Sequence, residues 1–270
     1  MNMIDTGQSI SITTLAHAQG ANRLRTEAMR SHAQARLIHI TKGQGRITIA
    51  GLTTGYGPNN LIYIPPHTMY GMEAGPTVFA QMLALPAPAD WPATPFHLRL
   101  VDVARQAELT GHIDAIEREL KPGGHPRAAA CHLGLLEVHV ARLLATMPQA
   151  VEDPRRNSAA ARLVARYTAL IAADVPHLRS VAAYADDLGV TPTHLTRSCR
   201  KTCGRSALWL LNARLYDEAC RMLRDTALPV GRIADHLGFG SAAYFARSFQ
   251  SRAGVSPSAF RQTLSPVRAH

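Results

Sequence analysis

Between residues 36 and 85 the apolar positions fall in short runs, Leu37-Ile38-His39-Ile40, Arg46-Ile47-Thr48-Ile49, Leu61-Ile62-Tyr63-Ile64 and Val78-Phe79-Ala80-Gln81-Met82-Leu83, parted by clusters of Gly, Pro and Asn. Short apolar or alternating runs closed by turn-forming residues predict β-strands, and a spacing of ~8 to 15 residues predicts a small antiparallel barrel or sandwich. Pro86, Pro88, Pro92 and Pro95 then forbid regular structure over 87–96, which predicts a loop leaving the sheet.

Beyond that loop the apolar period lengthens from two to about 3.6, the mark of amphipathic helices. Val101, Ala104, Leu109, Ile113, Ile116 and Leu120 form one stripe, Lys121-Pro122-Gly123-Gly124 stops it, and Leu133, Leu136, Val140, Leu143 and Leu144 form a second. Two helices joined by so short a turn lie antiparallel. Both stripes could cover the barrel. The second, Leu133, Leu136, Val140 and Leu143, is expected to meet another subunit instead, making a homodimer. Val151 to Ser158 is polar and broken by Pro154, and everything from Ala159 onward carries helix-length apolar spacing. The expected organisation is a β domain over 1–96, a helical dimerisation region over 97–150, a linker over 151–158 and an all-helical domain over 159–264.

The helical domain repeats itself at an offset of 50 residues. Leu195-Thr196-Arg197-Ser198-Cys199 falls on Phe245-Ala246-Arg247-Ser248-Phe249, Gly204 on Gly254 and Ser206 on Ser256. Ahead of each copy stand an Ala and a Gly four residues apart, Ala185 and Gly189, then Ala234 and Gly238. A small Ala where two helices touch, a Gly where the turn needs positive φ and an apolar anchor in the next helix are the grammar of helix-turn-helix. Ser180 and Thr191-Pro192 supply a cap and a first turn. Between the two units 206–224 reads as one helix, with Leu208, Leu211, Leu215, Ala219 and Leu223 on one face. At 1.5 Å per residue its ~19 residues span ~28 Å, close to the ~34 Å that separates successive major-groove faces of DNA.

Charge agrees with that reading. Of the formal +10, a share of +7 lies in 175–270, where 13 Lys and Arg face six Asp and Glu. Guanidinium groups pair bidentately with phosphate and shed water readily, so an Arg-dominated segment suits a nucleic acid backbone. Four cysteines, Cys131, Cys199, Cys203 and Cys220, are too few and too scattered for a disulfide framework and read as thiols in a reducing compartment. Residues 1–20 show no secretory pattern and no run nears ~18 consecutive apolar residues, so a cytoplasmic protein without membrane contact is expected.

Residues 180–261 resemble the DNA-binding domain of the AraC family of transcription regulators. The second unit carries the likeness most fully: Ile233-Ala234, Leu237-Gly238-Phe239, Tyr244-Phe245, Arg247, Phe249, Gly254, Ser256-Pro257 and Phe260-Arg261 keep the family's order and spacing. Arg214-Leu215, Ala219 and Leu223 match its middle helix, and the first unit resembles a subgroup that includes regulators of aromatic-acid breakdown. Cys199 stands where many relatives have Phe, and Ala243 where Ser is usual. Upstream, Gly43-Gln44-Gly45, Gly51 and Ile64-Pro65-Pro66-His67 resemble the cupin-like effector domain. The resemblance implies two domains, an all-β cupin-like barrel with appended helices and an all-α double helix-turn-helix. It also implies double-stranded promoter DNA and RNA polymerase as partners, and a small-molecule effector of the aromatic-acid kind.

Helical spacing from the anchors Leu195, Cys199, Phe245 and Phe249 turns Thr193, Thr196, Arg197, Arg200 and Lys201 outward in the first recognition helix. In the second it turns out Ala242, Tyr244, Ala246, Arg247 and Gln250. Arg197 and Arg247 are the expected guanine readers, and Arg200 and Lys201 the expected phosphate contacts. Cys199 and Cys203 with His194 lack a fourth zinc ligand, and His67 lacks the paired histidines of a metal cupin. No metal, cofactor or catalytic residue is therefore expected. An organic effector would meet His32, His39, Tyr63, His67, Tyr70 and Gln81, each of which also reads as packing or surface. A metal-dependent cupin enzyme fused to a DNA tether and an architectural DNA-binding protein without effector remain the alternatives.

Overall fold

A computed structural model describes residues 10–16, 27–75, 77–147, 153–175 and 177–264. Strands β1 (Ser11–Ala16), β2 (Ala35–Lys42), β3 (Gly45–Ile49), β4 (Leu52–Tyr56), β5 (Asn60–Ile64), β6 (Tyr70–Ala74), β7 (Phe79–Leu85) and β8 (Phe96–Arg99) come first. They form a five-stranded sheet in the order β1-β7-β2-β5-β8 and a three-stranded one, β4-β3-β6, with every ladder antiparallel. The four strands expected from the apolar runs are β2, β3, β5 and β7. β8 opens at the end of the proline loop, so the sheet runs three residues past the expected boundary at 96.

Side chains alternate across the large sheet. Ile38, Ile40, Ile62, Ile64 and Ala80 point between the sheets and meet Ile47, Ile49, Tyr56 and Met72 in one buried cluster. Leu37, Leu61, Tyr63, Leu83 and Leu85 point the other way, under helices α1 (Val103–Glu119) and α2 (Pro126–Thr146). Burial on both faces explains why β5 is apolar at four of its five positions. The proline loop is pinned by Trp91, whose ring packs on Tyr63 and Phe96 at centroid distances of 5.0 and 5.6 Å and whose indole N–H donates to the carbonyl of Glu137.

Asp102 caps α1 and His125 caps α2, with Pro126 in its first turn. Leu109, Ile113 and Ile116 are buried as expected, but Val101 lies before the helix, and Val101, Ala104 and Leu120 are exposed. On α2 the stripe Leu133, Leu136, Val140 and Leu143 is buried against the sheet and α1 within one chain. That overturns its expected place at a subunit interface: periodicity marks a covered face without saying what covers it. By length and composition α2 could cross a membrane, yet its apolar side is spent on this packing.

Within 151–158 the described part is Asp153–Ser158, a polar segment with a 3₁₀ turn over Pro154–Asn157. Helices α3 (Ala159–Asp174), α4 (Val181–Asp187), α5 (Pro192–Cys203), α6 (Ala207–Asp225), α7 (Val230–His236), α8 (Ala242–Ala253) and α9 (Pro257–Leu264) follow. They dock closely on the β domain. Gly51, at φ +74°, turns so near α3 that a Cβ there would sit 2.2 Å from Val164 Cγ1. Met29 and Met69 join the apolar cluster of α3 to α6. Arg205, between α5 and α6, reaches back to Glu73 of β6 at 3.1 Å. Burial alone would raise the Glu73 pKa, but hydrogen bonds from Arg205 and Arg46 outweigh it and hold the carboxyl low.

Candidate nucleic-acid interface

Each half of the repeat is a pair of helices around a glycine turn. Gly189 after α4 and Gly238 after α7 sit at φ +68° and +77°, in the left-handed region that a side chain would strain. Caps set the helix starts: Ser180 Oγ accepts from the Ala183 N–H, Thr191 Oγ1 from His194 and Ser241 Oγ from Tyr244. Leu195 and Cys199 anchor α5, and Phe245 and Phe249 anchor α8; all four are buried. The Cys199 thiol is pushed up to about 12 by burial and then by Cys203, so it stays protonated and fills core space.

Helix α6 joins the units. It is not one-sided as its apolar spacing suggested, since Leu208 is 56% exposed while Leu210, Ala213, Tyr216, Cys220 and Met222 are buried beside Leu211, Ala219 and Leu223. The first unit packs on its N-terminal half and the second on its C-terminal half, so different faces are buried along its length. Arg214 and Glu218 are buried there together, Arg214 pairing with Asp217 and Glu218. Burial would raise the Glu218 pKa, but Arg221 and Arg214 hold it low.

Eight of the ten side chains expected to turn outward are exposed. Thr193, Arg197, Arg200 and Lys201 of α5 are exposed and Thr196 is half-buried. On α8 Ala242, Tyr244, Arg247 and Gln250 are exposed and Ala246 is half-buried. His194 and Ser248 share these faces; the same spacing from Leu195 and Phe245 would have found them. The cations of the helical domain then sort into two groups. Arg179, Arg205, Arg214, Arg221, Arg224 and Arg232 pair with carboxylates, Arg252 lies over Trp209 and Tyr216, and Arg261 donates to the carbonyls of Leu223 and Leu228. Arg162 of α3 donates to the Asn157 carbonyl. Among the described residues Arg166, Arg197, Arg200, Lys201 and Arg247 have neither an ion pair nor another partner; Arg166 stands on α3 and the other four on α5 or α8.

Residues 12–138 match the AraC-like ligand binding domain and residues 184–263 match a helix-turn-helix domain, in the order the two-domain chain presents them. The chain belongs to the AraC family. This AraC-family chain is 30% identical over 81 residues to the arabinose operon regulatory proteins of Salmonella typhimurium and Escherichia coli, a stretch that is 30% of the chain. It spans 29% and 28% of those two proteins. The structure of ToxT from Vibrio cholerae with an unsaturated fatty acid bound is 12% identical with a TM-score of 0.49, over 97% of each chain.

The six residues expected to line an effector site lie in three places in this AraC-family chain. His39, Tyr63 and Gln81 face the helices: Tyr63 packs with Trp91 and Phe96, and Gln81 donates to Asp114 of α1 at 3.2 Å. His67 is an exposed turn residue at φ +57°. Tyr70 is buried at the domain junction with His32, ring centroids 5.9 Å apart and Arg30 at 5.9 Å over the Tyr70 ring. The fold thus brings His39 beside Gln81, its partner across the β2–β7 ladder, and His32 beside Tyr70.

Beside that pair lies what the sequence reading missed, a cavity of about 210 Å³ between 28–32 and α6, lined by Arg30, His32, Arg214, Glu218, Arg221 and Arg224 among others. Arg30 Nη2 and Arg214 Nε are buried there without hydrogen-bond partners. Burial, then the neighbouring Arg36, Arg30, Arg214 and Arg224, lower the His32 pKa to about 3, which leaves its ring neutral at pH 7. No sequence signal brings Arg30 to Arg214, because the contact joins two domains.

Proposed function

We propose that the protein is a sequence-specific transcription regulator that sets α5 and α8 in successive major-groove faces of double-stranded promoter DNA and answers to a small organic acid. The observation that carries this is the sorting of cations: of the five left without a partner on the described surface of the helical domain, four are ones the two recognition helices turn outward, and Arg166 of α3 is the fifth. A merely soluble basic surface would scatter them. The ~28 Å length of α6 supports a spacing near one DNA turn. On this reading the protein works in the cytoplasm beside RNA polymerase, without catalysis or cofactor. Competition of an operator fragment against random duplex tests it: a ratio of ~10³ or more is expected, and a ratio near one would favour an architectural protein.

For the effector we propose a carboxylate seated in the arginine-lined cavity between the domains. Buried guanidinium N–H groups without acceptors cost free energy that a carboxylate would recover through charge-assisted, bidentate hydrogen bonds. The cavity is smaller than the ~300 Å³ and upward of drug-sized sites, so it suits a small acid or the head of a larger one. His32 and Tyr70 beside it favour the aromatic acids that the first unit's resemblance implies. Calorimetric titration of the full chain with benzoate and with an aliphatic acid of similar size checks both points: binding that Arg30→Ala does not weaken would overturn the site.

A homodimer is proposed through the other side of α2. Cys131, Leu135, Val138 and Arg142 recur there at helical spacing, with Leu135 54% and Val138 49% exposed.

A further inference from the structure

Between α1 and α2, outside the barrel and away from the recognition helices, three side chains of metal-binding type converge. Glu108 and His112 lie one turn apart on α1, and His139 faces them from α2. His139 Nδ1 is 3.1 Å from Glu108 Oε2, and His112 Nε2 is 4.0 Å from Glu108 Oε1. One donor atom from each residue lies within 4.8 Å of the other two.

We propose that Glu108, His112 and His139 bind a divalent transition metal ion of the zinc class across the two helices. Zinc sits ~2.0 to 2.2 Å from imidazole nitrogen and carboxylate oxygen, so its ligands stand roughly 3 to 3.6 Å from one another. The 3.1 Å Glu108 edge already lies in that range and the 4.0 Å edge exceeds it, so the remaining contraction falls to Glu108, whose side chain is 51% exposed, and to His112. The third ligand is built in. His139 is 5% exposed in a stretch where Leu136, Val140 and Leu143 fill the core, and it turns Nδ1 to Glu108 at 3.1 Å. A leucine would pack there without burying a polar ring, and the imidazole instead aims a ligand nitrogen at the cluster. Two imidazoles and a carboxylate select zinc and its borderline neighbours over magnesium or calcium, and the absence of a thiolate disfavours copper(I). Solvent completes the shell on the exposed Glu108 side. The ion would clasp α1 to α2 without entering the barrel.

The full chain titrated with Zn²⁺ by calorimetry, and with Co²⁺ followed by its visible absorption, tests this. One ion per chain is expected, with nitrogen and oxygen ligand-field bands and no thiolate charge transfer. Glu108→Gln, at an exposed position, and His112→Ala, at a half-buried one, should each weaken binding by about tenfold or more, the scale on which even outer-shell partners act. Cys131→Ser should leave it unchanged. Zinc should raise the melting temperature of the unsubstituted chain but not of His112→Ala. Binding that survives both substitutions, binding lost with Cys131→Ser, or no saturation by about 1 mM Zn²⁺, weaker than any site for which this geometry is built, would overturn the proposal.

Discussion

At the scale of single residues, Arg197, Lys201 and His32 have separable consequences. Arg197→Ala is expected to cost ~1 to 3 kcal/mol on the cognate site and to relax preference at one base pair, the loss of a bidentate guanine contact. Lys201→Ala should weaken every sequence about equally and flatten the salt slope by about one unit, because a phosphate contact carries no base information. Competition assays on an operator and its single-base variants distinguish the two. α5 turns out Thr193, Thr196, Arg197, Arg200 and Lys201, a richer set of donors than Ala242, Ala246, Arg247 and Gln250 of α8, so more base discrimination is expected from α5. If Arg197→Ala leaves the preferred sequence intact while Arg247→Ala scrambles several positions, the division runs the other way. His32 sets a pH dependence. Its folded pKa of about 3 lies below the ordinary 6.5, so the unfolded chain binds the proton first. The stability tied to the neutral ring is complete above about pH 6.5 and is lost as pH falls through the window toward 3. Denaturant titrations between pH 7 and 4 should show that slope, and His32→Gln should flatten it.

At the scale of elements, Gly51 and Ser241 set the docking of α3 and the start of α8. Gly51→Ala places a methyl group against Val164 at a positive φ, and overpacking of this kind costs ~1 to 3 kcal/mol. Ser241→Ala removes the cap of α8 and should cost ~1 kcal/mol, read as a lower melting temperature. Legibility in the sequence followed how strongly each element depends on its own residues. β2, β3, β5 and β7 were readable because apolar side chains recur along them. β6 was not, since Gly71 interrupts Tyr70-Gly71-Met72-Glu73-Ala74; a Cβ there would meet the Glu27 carbonyl at 2.9 Å, so packing demands the residue that hides the strand. β4 has Gly55 for the same ambiguity, and β8 is only four residues long. The helix-turn-helix pairs were legible because anchors, turn glycines and the first unit's caps are local, while the Ser241 cap of α8 went unread. The stripe on α2 was legible as buried but its covering was not, and the arginine cavity and the Glu108, His112 and His139 cluster were invisible because each joins distant stretches of chain.

At the scale of the whole molecule, the two domains share apolar clusters, the Glu73 to Arg205 ion pair and the arginine-lined cavity, so the acid proposed to bind between them would touch the helix that spaces the recognition units. Light scattering should find a dimer that Leu135→Arg and Val138→Arg together split; a monomer at high concentration, with and without DNA, would remove the proposed interface. DNA affinity should fall steeply with salt, as several phosphates are neutralised together. The most direct test of the central claim is selection of bound duplexes from a fully randomised library by the full chain. Enrichment of one motif with two short constrained blocks about 10 base pairs apart, each weakened by substitution in its own recognition helix, is the predicted result. Recovery of unenriched sequence, with binding that varies with salt but not with bases, would contradict it.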